Sequence, residues 1–142
     1  MTPEQKQSVV TEVHSWLGTP YHHQGGIKGV GVDCAYLLIR VFHNCGLIPD
    51  IDPRPYPMDW HLHRSEERYL SGVLDHAEKV DDPQPGDVAL YQFGRCISHG
   101  AIVIDWPTII HAHKGEGCVL ADGNGGYLEG RLAGFWRLRE RA

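Results

Sequence analysis

The stretch GVDCAYLLIR, residues 31–40, joins a glycine-punctuated segment to an apolar run with helical spacing. Cys34, Leu37, Leu38, Val41, Phe42 and Cys45 share one face at a 3.6-residue period. The spacing therefore predicts a helix beginning at Asp33 or Cys34 and ending at Gly46, a residue suited to a helix C-terminus. Cys34 in that position has two readings. On an apolar helix face it is a small core residue. At a helix start it stands among backbone N–H groups without intrahelical partners, at the positive end of the helix dipole. Both favour the thiolate, the reactive species, and the same N–H groups suit an oxyanion formed during acyl transfer.

Upstream, Thr2-Pro3-Glu4-Gln5 reads as a helix start, with Thr2 as cap, Pro3 in the first turn and Gln5 completing a capping box. Val9, Val13, Trp16 and Leu17 continue it as an apolar stripe, and Gly18 is the expected stop. Residues 18–32 are expected to form a loop with glycines at 18, 25, 26, 29 and 31. Downstream, Pro49, Pro53, Pro55 and Pro57 mark an irregular connection. The 47–64 segment is placed to cover part of a cleft beside the Cys34 helix. A third helix is expected over 65–77, with Tyr69, Leu70, Val73, Leu74 and Ala77 inward.

After DDPQPGD the pattern changes to strands, expected at 87–93, 99–105, 108–113, 117–121 and 133–139, with turns at DWPT and DGNGG. Helices followed by strands predict an α+β fold with an antiparallel sheet. A partner for Cys34 is sought on that sheet. His99 and His111 lie 12 residues apart across a short turn. A two-residue turn at Trp106-Pro107 puts them on opposite faces, and a three-residue turn or a bulge puts them on the same face. Pro107 argues against an ideal two-residue turn. In the same-face arrangement His99 pairs with Cys34 and His111 orients His99, as the third member of a triad does.

Bulk properties narrow the classes. A chain of 142 residues suits one domain, taken as 1–142, with an ordinary 42% hydrophobic and 22% charged composition. A net charge of −5 gives no basic footprint for nucleic acid. No run approaches the roughly 18 apolar residues of a membrane span. The N-terminus lacks the pattern of a signal peptide, so synthesis in the cytoplasm is expected, with export by a virion, lysis or a secretion machine. Cys34, Cys45, Cys96 and Cys118 form no C-x-x-C pair, and free thiols are the default. Cys45 and Cys118 read as packing thiols. HLH at 61–63 and HAH at 111–113 each put two imidazoles on one strand face, an arrangement some zinc sites use, but no acidic or cysteine cluster completes either. Neither a metal nor a cofactor is expected.

Taken together, GTPYHHQGG, GVDC, PGDVALY, SHGAIVI and IIHAH (residues 18–26, 31–34, 85–91, 98–104 and 109–113) resemble the NlpC-type cell-wall cysteine peptidases, which are papain-like. The C-terminal RLAGFWRLR, residues 131–139, resembles the ending of the phage-tail and gene-transfer-agent branch. The resemblance implies a nucleophile helix packed on an antiparallel sheet. It also implies hydrolysis of peptidoglycan stem peptides, typically between γ-D-glutamate and a diamino acid. It assigns Cys34 as nucleophile, His99 as general base and acid, and His111 as the orienting residue. It brings Tyr21 to the nucleophile, for substrate or oxyanion contact, and leaves Asp33 as either a ligand for a substrate amine or a helix cap. Phage-tail or tail-like-particle proteins are the implied partners. The alternatives are a structural tail-tip component and a cytoplasmic recycling peptidase. Ala35-Tyr36 and Gly100-Ala101 depart from the family pattern of Ser-Gly after the cysteine and Val-Gly after the histidine.

Overall fold

The computed structural model describes residues 1–50 and 75–139. Helix α1 spans Pro3–His14. Its capping box is formed: the Thr2 hydroxyl accepts from the Gln5 amide at 3.1 Å, and the Gln5 side chain accepts from the Thr2 amide at 2.8 Å. The helix ends before Gly18. The amides of Trp16 and Leu17 donate to carbonyls three residues back, so the chain tightens into turns. Gly18 donates to the Cys118 carbonyl and Cys118 donates to Thr19 O, which ties this turn to the sheet.

Within the expected loop 18–32, β1 (Gly26–Ile27) pairs with β2 (Gly31–Val32). Helix α2 follows at Cys34–Asn44 with Asp33 as N-cap. Its buried residues include all the expected apolar positions except the half-buried Cys45, just past the helix end. Gly46 has φ +74° and closes the helix as expected.

The sheet has six strands: β3 (Ala77–Val80), β4 (Val88–Phe93), β5 (Cys96–Asp105), β6 (Thr108–His113), β7 (Gly117–Asp122) and β8 (Leu132–Leu138). Their order is β3-β8-β4-β5-β6-β7 and every neighbouring pair is antiparallel. The fold is α+β, as the order of helical and strand patterns implies. Alternate residues serve two faces. Leu90, Ile102, Ile110 and Leu138 pack with Leu37, Leu38, Val41 and Phe42 of α2, while Ala89, Tyr91, Val103 and Ile109 pack with Leu128 and the partly buried Trp106 and Phe135.

Two expectations need correction. Ala77, placed at the end of a third helix, begins β3, because it pairs with Leu138 at the sheet edge. The β5 strand starts at Cys96 rather than 99, where it pairs with Phe93. Asp75 and His76, also placed in that helix, form a turn, and its residues 65–74, the cover over 51–64 and the HLH pair lie outside the described residues.

The PGD turn is held from the far end of the chain. Arg137 grips fully buried Asp87 with two bonds, Nε to Oδ1 at 2.9 Å and a terminal nitrogen to Oδ2 at 2.8 Å. Asp87 Oδ2 also accepts from the Gln84 amide at 2.8 Å. The guanidinium fork matches the carboxylate, which secures β8 beside the start of β4.

Candidate active site

Asp33 builds the floor of the site. Its Oδ1 accepts from the Tyr36 amide at 2.9 Å and caps α2. Its Oδ2 accepts from the Gln24 amide at 2.7 Å. Gln24 has φ +63°, a left-handed conformation that a side-chain-bearing residue adopts at a cost, so Asp33 fixes both the helix start and the loop before it. Cys34 is thereby the first residue of α2, in the position that exposes a thiol to the helix dipole. It is 9% exposed, and its Sγ lies 3.7 Å from the Ser98 carbonyl oxygen.

Ser98 holds that place because of a bulge. Tyr91 pairs with His99 and Gln92 with Ile97, so Ser98 is an extra residue in β5. Bulges re-aim groups at strand ends, and this one sets the carbonyl preceding His99 against the Cys34 sulfur.

A second bulge decides the histidines. Asp105 pairs with Thr108 across the Trp106-Pro107 turn, whereas Val103 pairs with Ile109 and Ile102 with Ile110, which leaves Ile104 as an extra residue. The tip register, if continued, would send His99 and His111 to opposite faces. The bulge restores the same face. His99 Nε2 and His111 Nδ1 are then 2.8 Å apart, with the rings edge-on at 82°. Both are buried. Burial, then His111 and His113, push the His99 pKa well below its ordinary value. Burial, then His113, push His111 down to about 4. Both imidazoles are therefore neutral near pH 7, the state in which one can donate to the other.

Tyr21 is half-buried and bridges to Val32. Burial, then Cys34, Asp33 and Tyr127, push its pKa up, so its hydroxyl stays protonated. The structure therefore brings Tyr21, Asp33 and Cys34 within electrostatic reach of each other, and His99 together with His111. Tyr36, one of the departures from the family pattern, is fully buried and packs beneath the 18–32 loop: a Cβ on Gly26 would lie 2.8 Å from its ring. Its bulk supports the loop. Cys45 and Cys118 have pKa values raised by burial to about 11 and about 12, as fits packing thiols.

Two neighbours extend the row beyond the expected set. His113 stands 5.5 Å from His111, centroid to centroid, and 4.5 Å from Tyr127. His113 was legible as part of HAH. Tyr127 was not, because it follows a glycine-rich turn with no periodicity to place it. Among the described residues, no three His, Cys, Asp or Glu side chains are grouped as a metal site.

A cysteine at a helix start, set against two strands that each present one histidine of a buried pair, defines an α+β domain with a candidate thiol site. The NlpC/P60 family model matches residues 18–137, and the chain belongs to that family. Solved structures share the fold. A lipoprotein-like NLP/P60 protein from Staphylococcus aureus Mu50 has a TM-score of 0.73 at 20% identity, over 99% of this chain and 43% of that one. The peptidoglycan hydrolase RipB of Mycobacterium tuberculosis has a TM-score of 0.65 at 17% identity, over 96% and 64%. The NlpC/p60 domain of the peptidoglycan hydrolase SagA has a TM-score of 0.63 at 18% identity, over 95% and 98%. The chain spans about two fifths of the S. aureus protein and of a Bacillus cereus family member. No curated protein matches it. Among the described residues, no helix is long and apolar enough to cross a membrane.

Proposed function

We propose that this chain is a cysteine endopeptidase that hydrolyses peptidoglycan stem peptides. The observation that carries the reading is the continuity of the site: Cys34 opens α2, its Sγ meets the carbonyl preceding His99, and His99 is hydrogen-bonded to His111. Family membership and the peptidoglycan hydrolases among its structural neighbours support the substrate class.

His99 takes the Cys34 proton at Nδ1, because Nε2 is engaged by His111. Nε2–H then donates to His111 Nδ1, which holds the ring in place. The thiolate attacks the scissile carbonyl, and the α2 N-terminus and the Tyr21 hydroxyl face the oxyanion. Collapse of the tetrahedral adduct breaks the C–N bond as His99 returns its proton to the leaving amine. His99 next takes a proton from water, and the resulting hydroxide cleaves the thioester, freeing the peptide acid and Cys34. Asp33 is a positioning residue, since both of its oxygens serve the backbone.

The bond assigned is γ-D-glutamyl to diamino acid, and delivery is assigned to a phage-tail or tail-like particle, on the resemblance of residues 131–139. The test is mass spectrometry of stem peptides incubated with the protein and with Cys34→Ala. A fragment cut at that bond, absent with the variant, supports the reading. Cleavage elsewhere reassigns the bond, and no Cys34-dependent cleavage overturns the peptidase.

A further inference from the structure

A cavity of about 330 Å³ adjoins the histidine row on the side of His111 and is not used by the chemistry above. Its lining includes His111, His113, Glu116, Asp122 and Tyr127, with the Gly125-Gly126 backbone. His111 connects it to the reacting centre, since it lines the cavity and its Nδ1 lies 2.8 Å from His99 Nε2. The Tyr127 ring is 57% exposed, stacked on Phe93 at 4.9 Å and met edge-on by His113. Glu116 and Asp122 add two carboxylates. Among the described residues, the lining contains no lysine or arginine. Arg131 sits over Phe93 at 4.5 Å and 5.9 Å from the Tyr127 centroid, outside the lining. His113 Nδ1 is buried with no hydrogen-bond partner, and its contact with Glu116 is long, at 3.8 Å. A cavity whose described lining has one aromatic wall, two carboxylates and no lysine or arginine matches a primary ammonium, which gains from the ring face and from the carboxylates together.

We propose that this cavity is a subsite for the side-chain ammonium of a lysine-type diamino acid in the peptide substrate. The inference rests on the stem-peptide reading. It adds a choice that the family resemblance leaves open. A diaminopimelate side chain carries a carboxylate beside its amine, and among the described residues the cavity lining offers that carboxylate no lysine or arginine. Lysine-type stems are therefore favoured.

The test uses the Cys34→Ala protein, which cannot turn over. Binding of L-Ala-γ-D-Glu-L-Lys is compared with the same peptide ending in meso-diaminopimelate or in norleucine. The lysine peptide is expected to bind about fivefold tighter than either, the worth of one partly screened ion pair. Glu116→Gln with Asp122→Asn is expected to remove that advantage and leave norleucine-peptide binding unchanged. Equal binding of the three, tighter binding of the diaminopimelate peptide, or a preference that survives the double change overturns the subsite. A second probe, Nα-acetyl-lysine methylamide, is titrated with amide resonances of Gly125, Gly126 and Tyr127 as readout. Shifts there without cleavage of any stem peptide by the unaltered protein keep the cavity and sink the peptidase reading. Cleavage of stem peptides with no lysine preference and no shifts sinks the cavity alone.

Discussion

His99 Nε2 and His111 Nδ1 lie 2.8 Å apart on a face that only a bulge at Ile104 makes common to both. The bond fixes which nitrogen of His99 turns away from His111, and therefore which one serves the thiol. In His111→Asn the side-chain oxygen stands where Nδ1 stood, one bond beyond Cγ, and accepts from the same Nε2–H. In His111→Leu no acceptor remains. The asparagine variant is expected to keep most of kcat, and the leucine variant to lose about 10²-fold or more with little change in KM. Steady-state kinetics on a stem peptide checks this, and equal losses in both variants would remove the orienting role.

The same pair sets an acid limit on stability. His111 titrates near 4 in the folded chain, held down by burial and His113, and near 6.5 when unfolded. Between those values the unfolded chain binds the extra proton, so stability falls as pH drops from about 6.5 to about 4 and this contribution is flat below. The full effect is roughly 3 kcal/mol for His111, and His99 acts in the same direction. Urea unfolding at neutral pH and near pH 4 is expected to show the loss, and His111→Asn to remove the His111 share. An unchanged difference in the variant would mean that other groups carry it.

What could be read in advance divides by physical range. The α2 stripe, the Thr2–Gln5 box and the Gly46 stop are local, set by spacing within a turn or two of helix. Asp33-Cys34 at the helix start was legible for the same reason. His99 and His111 were legible as residues, but their common face depended on one unpaired residue, Ile104, which no pattern of alternation marks. The β3 strand was missed because its partner, β8, lies more than 50 residues away and only the pairing makes Ala77 a strand residue. Tyr127 was missed because tertiary contacts with Phe93 and His113, not local sequence, hold it beside the row.

The thiols should separate by reactivity. Cys45 and Cys118 are held protonated by burial, with pKa values of about 11 and 12. Cys34 stands at a helix N-terminus. The thiolate is what alkylates, so Cys34 is expected to react with iodoacetamide at pH 7 at least about tenfold faster than Cys45 or Cys118. Peptide mapping of a time course measures the three rates. Modification of Cys45 or Cys118 ahead of Cys34 would contradict the assignment of the nucleophile.

Arg137 and Asp87 make a separate prediction about the sheet. Asp87→Ala leaves the guanidinium without its fork partner and also frees the Gln84 amide. A loss of about 3 kcal/mol or more is expected, in the range for breaking one side of a buried pair. Arg137→Lys should lose part of the same stabilisation, because an ammonium cannot make both bonds of the fork. Denaturation midpoints check both, and a lysine variant as stable as the parent would show that charge alone suffices.

Asp33 offers the sharpest separation of positioning from chemistry. Its two oxygens hold the Tyr36 and Gln24 amides, so it acts on Cys34 by fixing where the helix begins. Asp33→Ala removes the cap and the clamp on a left-handed Gln24 together, and about 1–3 kcal/mol of stability should go with them. Asp33→Asn keeps one oxygen acceptor and should retain a substantial part of that stability. If Asp33 acts only through position, the asparagine variant keeps KM for a stem peptide with a free N-terminal amine. If its charge holds that amine, KM rises about tenfold for the free peptide and is unchanged for its N-acetylated form. The two peptides, run side by side on the asparagine variant, decide between a helix cap and a substrate ligand.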